Sequence, residues 1–117
     1  MVVDDNPRWR RLMKSLFEPA GTVTECSSGE QAVSCFTEEQ PDWVLMDISM
    51  GGLDGIEAAS LIKGRDSSAR ILFVTQHEDP VTQDKAGQIG CELVPKDRIQ
   101  DLQSRLREGF FSVSLRT

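Results

Sequence analysis

Cysteine is scarce here, and its spacing does not suit a metal. Cys26, Cys35 and Cys91 are an odd number with no C-x-x-C pair, which argues against a zinc site or a disulfide framework and points to reduced, buried thiols. Histidine is rarer still. His77 stands alone with no Ser, Cys or acid at a triad-like spacing, so a solvated loop residue is expected there. No apolar run approaches the roughly 18 residues of a membrane span. No dense Lys/Arg stripe is present and the net charge is −6, which removes the usual footprint of a nucleic-acid binder. Gly51, Gly52 and Gly55 follow a strand-like run, yet both G-x-x-x-x-G-K-[ST] and G-x-G-x-x-G are missing, so nucleotide binding has little support. Met1 leads straight into a strand-like segment with no charged and apolar leader, and the expectation is an intracellular, cytoplasmic chain.

What is present fits one soluble domain. The 117 residues are 38% hydrophobic and 27% charged, enough to bury a core without staples. Short β-rich runs alternate with helical periodicity. Val2-Val3, Thr22–Cys26, Trp43–Met46, Ile71–Val74 and Leu93-Val94 read as strands, the third and fourth being apolar on both faces. Asn6-Pro7, Ser28-Gly29 and Asp79-Pro80 read as helix starts, and Asp97 as the cap of a last helix carrying Ile99, Leu102 and Leu106. In the first helix Trp9, Leu12, Met13, Leu16 and Phe17 share one apolar face; in the fourth, Val81, Ala86 and Ile89 do. The pattern βαβαβαβαβα predicts an α/β fold, a parallel sheet with helices on both sides. Ligands in such sheets sit beyond the carboxyl ends of the strands.

Those ends carry one chemistry. Strand one ends in Asp4-Asp5, strand three in Asp47, strand four in Thr75 and strand five in Lys96. Any one of these could simply cap a helix; the set together is harder to explain that way. Converging carboxylates repel unless a cation sits among them, and an all-oxygen donor set favours Mg²⁺ or Mn²⁺. An Asp in that setting can attack phosphorus to form an acyl phosphate, with a lysine and a hydroxyl meeting the charge on the equatorial oxygens.

The pair Asp4-Asp5, the stretch from Asp47 through Gly51-Gly52-Leu53-Asp54-Gly55 to Ala58, Thr75 and Lys96 resemble the receiver domains of two-component response regulators. The resemblance covers residues 1 to about 108, leaving 109–117 as a C-terminal tail or the start of a linker. It implies a (βα)5 doubly wound, flavodoxin-like fold with strand order 2-1-3-4-5. Asp47 would be the phosphoacceptor, with Asp4, Asp5, Asp47 and the backbone carbonyl of Ser49 holding the metal. Thr75 would contact the phosphoryl group and Lys96 pair with it. The implied partners are a sensor histidine kinase or histidine phosphotransfer protein, and a downstream effector protein or effector domain. No separate enzymatic turnover is implied beyond slow loss of the chain's own phosphoryl group. The family also dimerises through its fourth and fifth helical region, so a homodimer is left open.

Several positions depart from the family pattern. Only Met1-Val2-Val3 precede the acid pair, where relatives carry two or three more apolar residues, which implies a start upstream. Gln76 follows the threonine where a small residue is usual, and Leu93 replaces an aromatic three residues before the lysine. Gly51 and Asp97 stand where proline is common. These bear on output rather than on the acceptor, and keep a second reading open: a pseudo-receiver that binds partners without phosphorylation. A haloacid-dehalogenase-like phosphatase is the nearest enzymatic rival, but Ser49 stands where it would need a second aspartate. Arg8, Arg10, Arg11 and Lys14 give the first helix either a solvated basic face or a docking surface for an acidic partner.

Overall fold

The structure is a computed structural model, and it describes residues 1–76 and 79–99. Helix starts follow from local hydrogen bonding. Helix α1 (Pro7–Phe17) opens where Asn6 Oδ1 accepts from the N–H groups of Arg8 and Trp9 at 3.0 and 3.3 Å, with Pro7 at a position that needs no donor. Ser28, Asp54 and Asp79 cap α2 (Gly29–Glu39), α3 (Gly55–Arg65) and α4 (Pro80–Gln88) through the N–H groups of Gln31, Glu57 and Thr82. None of these described helices is long and apolar enough to cross a membrane.

Strands β1 (Val2–Val3), β2 (Glu25–Cys26), β3 (Val44–Met46), β4 (Ile71–Thr75) and β5 (Glu92–Pro95) form one parallel sheet in the order β2-β1-β3-β4-β5. The expected order holds. Strand alternation splits the core in two. Val3, Val44, Met46, Ile71 and Phe73 pack with Ala32, Phe36, Ala58, Ala59 and Ile62 of α2 and α3. Val2, Leu45, Leu72, Val74 and Val94 pack with Met13 and Phe17 of α1 and with Ile99. A central strand buried on both faces is expected to be apolar, and β3 is, as is β4 up to its last residue, Thr75.

Some expectations are corrected. The second strand is only Glu25–Cys26, because just those two residues pair with β1. Leu12 lies on the solvent side of α1 and is 42% exposed, and Val81 is 64% exposed at the start of α4. One helical face is narrower than a run of i, i+3 and i+4 positions suggests, and α4 buries only Ala86. The thiols are free, but Cys35 is half-buried while Cys26 and Cys91 are buried. Asp97, expected as a helix cap, lies inside a 3-10 turn, Lys96–Arg98. Leu102, Leu106, the tail 109–117 and His77 lie outside the described residues.

The short first strand is nonetheless paired on both sides. Leu45 N–H donates to the Met1 carbonyl at 2.9 Å, and Val2 N–H to that of Thr24 at 2.8 Å. The same ladder continues past the strand: Asp4 N–H donates to Cys26 O at 3.1 Å and Asp47 N–H to Val3 O at 2.9 Å.

Candidate functional site

Sheet register delivers the acids to one place. Val3 is opposite Met46, so the next residues, Asp4 and Asp47, leave adjacent strands together. On the other side Thr75 is opposite Pro95, which sets Lys96 at the same edge. Asp4, Asp5, Asp47, Ser49, Thr75 and Lys96 all line a single cleft of about 150 Å³, with Asn6 and Gln76 completing its wall. Every residue nominated from the sequence is therefore in it. Asp4, Asp47 and Thr75 are buried, whereas Asp5 and Ser49 are exposed at the mouth.

Asp4 and the loop after Asp47 are held from behind. Asp4 Oδ1 accepts from Asn6 N–H at 2.9 Å, and its main-chain carbonyl accepts from Arg10 Nη1 at 2.7 Å. The loop after Asp47 is pinned by Gly55 N–H donating to Ile48 O at 2.9 Å. There α3 begins against the strand end, and a side chain on Gly55 would run into the Asp47 carbonyl. Only glycine allows that approach.

One ammonium pairs with two of the three carboxylates. Lys96 Nζ lies 2.8 Å from Asp4 Oδ2 and 3.7 Å from Asp47 Oδ2. Asp4, Asp5 and Asp47 each offer an oxygen within 4.8 Å of the others. The imbalance registers on Asp47, whose carboxyl is raised from 3.8 to about 6. Burial is the main cause and the Asp4 charge adds to it; Lys96 only partly opposes them.

Two participants were not legible as such. Asn6 reads only as a helix cap and Trp9 only as part of an apolar helix face, whereas Gln76, next to Thr75, is expected beside the site from sequence and is found there. Trp9 does pack against the core beside α1, and its ring also lies under Lys96 Nζ, 4.9 Å from the centroid. Nothing local in the sequence pairs residues at opposite ends of the chain.

A sequence model of the response regulator receiver domain matches residues 1–107. The chain belongs to this family. Among its relatives is the nitrate/nitrite response regulator NarL of Escherichia coli K12, 32% identical over 111 residues. That match covers 87% of this chain and 51% of NarL, so the chain spans about half the length of that relative. The chemotaxis protein CheY of Halobacterium salinarum is 36% identical over 93 residues, 79% of this chain and 78% of that one. Solved structures agree. A two-component response regulator of the LuxR family from Aurantimonas superposes with a TM-score of 0.78 at 31% identity, covering 89% of this chain and 83% of that one. The Borrelia burgdorferi complex of CheX, CheY, BeF3 and Mg²⁺ gives 0.78 at 27% identity, covering 93% and 86%. The receiver domain thus carries its family's fold with all six nominated residues lining one cleft, and the comparisons give no preference to the pseudo-receiver alternative.

Proposed function

We propose that this receiver domain is phosphorylated on Asp47. The donor would be a phosphohistidine of a sensor kinase or of a phosphotransfer protein. The observation that carries the reading is convergence. Strand ends β1, β3, β4 and β5 bring three carboxylates, a hydroxyl and an ammonium to one cleft. In the transfer an Asp47 Oδ attacks phosphorus while the bond to the donor's leaving atom breaks, leaving an acyl phosphate on Asp47. Lys96 sits where its ammonium can meet a phosphoryl oxygen with little rearrangement, and the Thr75 hydroxyl can donate to another.

A divalent ion fits the chain's own groups. The donors are all oxygen, and three carboxylates face one ammonium, so the cleft holds excess negative charge. Asp4, Asp5, Asp47 and the Ser49 carbonyl would hold Mg²⁺ or Mn²⁺, and the Mg²⁺ in the Borrelia complex supports that choice. Once bound, the ion neutralises charge on the phosphoryl oxygens.

Because the Asp47 carboxyl titrates near 6 without metal, Mg²⁺ must displace a proton below that pH. Affinity should be flat above about pH 7 and fall by up to about tenfold per pH unit below about 6, as calorimetric titration would read. An affinity that stays level down to pH 5 would take Asp47 out of the ligand set.

Residues 1–108 would act as the receiver and 109–117 as a tail or the start of a linker, in the cytoplasm, with output through an effector protein or domain. Incubation with Mg²⁺ and acetyl phosphate should add one phosphoryl group by intact mass, with acetate as the leaving group. An unchanged mass would remove the reading.

A further inference from the structure

Trp9 takes no part in the steps above, yet it is the other wall of the lysine's binding place. Lys96 Nζ is bounded on one side by Asp4 and Asp47, at 2.8 and 3.7 Å, and on another by the Trp9 ring at 4.9 Å. The Lys96 side chain is only 10% exposed, so little water competes for the ammonium. A lysine head is a compact point charge on a four-carbon stem that can swing, and carboxylates on one side alone do not fix it. The face of an indole attracts such a cation more strongly than any other aromatic side chain, and most where water is excluded. Trp9 is itself anchored. Its backbone N–H donates to Asn6 Oδ1 at 3.3 Å, and its ring packs against the core cluster shared by α1 and the sheet, the buried indole N–H making no hydrogen bond among the described residues.

We propose that Trp9 is a positioning residue for Lys96, its indole face holding the ammonium beside Asp47 where an incoming phosphoryl group will meet it. The inference rests on the reading of Asp47 as phosphoacceptor. Trp9 touches no reacting atom; it acts through the lysine. A ring present only to fill space could be exchanged for another bulky apolar side chain without altering phosphorylation. A ring present for its negative face could not.

The rate of labelling by acetyl phosphate separates these. Trp9→Met, which keeps apolar bulk and loses the ring, should label roughly 2- to 30-fold more slowly, while Trp9→Phe, whose ring has the weaker negative face, should fall between Trp9→Met and the parent. Should Trp9→Met fail to fold, fluorination gives the answer with shape nearly unchanged. In a Trp43→Phe background Trp9 is the sole tryptophan. Successive fluorine atoms on its ring drain the negative face, and labelling should slow in step. A rate independent of fluorination, or Trp9→Phe as slow as Trp9→Met, overturns the inference. An unlabelled parent protein, or labelling that survives Asp47→Asn, instead strikes the phosphoacceptor reading beneath it.

Discussion

Asp47→Asn should take up no phosphoryl group under conditions that label the parent, and should be the more stable protein without metal. The first half follows from chemistry, since an amide oxygen is a poor nucleophile toward phosphorus. The second follows from the charge balance of the cleft. The folded-state carboxyl lies near 6 against 3.8 when unperturbed, so folding favours its neutral form. The stability this confers is fully present below pH 3.8 and is lost as pH rises through about 6. At neutral pH the ionised group is therefore a liability that asparagine removes. The shift sets a ceiling of roughly 3 kcal/mol. Relaxation of the surroundings around a buried charge reduces the expected gain to about 1–2 kcal/mol. Urea unfolding in a chelator at pH 7.5 should show the gap, and repeating it near pH 4 should nearly close it. Equal stability at pH 7.5 would mean that Lys96 already compensates Asp47 in full.

Gly55→Ala should be the most damaging small substitution near the site. The added carbon would collide with the Asp47 carbonyl and stand 2.8 Å from Ile48 Cα. Both obstacles are backbone, so no rotamer change relieves them. Relief requires α3 to lift away from the end of β3, losing the Gly55 N–H bond to Ile48 O. The expected cost is about 3 kcal/mol or more. Labelling of whatever remains folded should be slowed, because the loop that moves carries Asp47 and Ser49. Gly51→Ala is the matched control, since nothing lies within 4 Å of its added carbon. It should change stability by no more than about 0.5 kcal/mol. Equal effects at the two glycines would show that the close approach of α3 to β3 is not a constraint.

Much of the architecture was legible because its signals are local. Asn6-Pro7 and Asp79-Pro80 start helices through hydrogen bonds that span two or three residues. Val44–Met46 and Ile71–Val74 read as doubly buried strands because each residue must face one helical layer or the other. Weaker local signals are overridden by tertiary context. Thr22 and Val23 have β-type side chains, but strand length is set by how far a partner runs, and β1 pairs with only Glu25 and Cys26. Leu12 and Val81 are apolar at helical spacing and still face solvent, since a hydrophobic residue on a helix is not obliged to be inside.

By itself the sequence determined which chemical groups end the strands: Asp4, Asp5, Asp47, Thr75 and Lys96. With parallel crossovers these could only gather at the carboxyl edge of the sheet. What the tertiary structure alone decided is how the charges divide among them. Lys96 lies closer to Asp4 than to Asp47, the Asp47 carboxyl is raised to about 6, and Trp9 closes over the ammonium. Electrostatic energies depend on separation and burial, both set by packing between segments remote in the chain, and no local pattern encodes them.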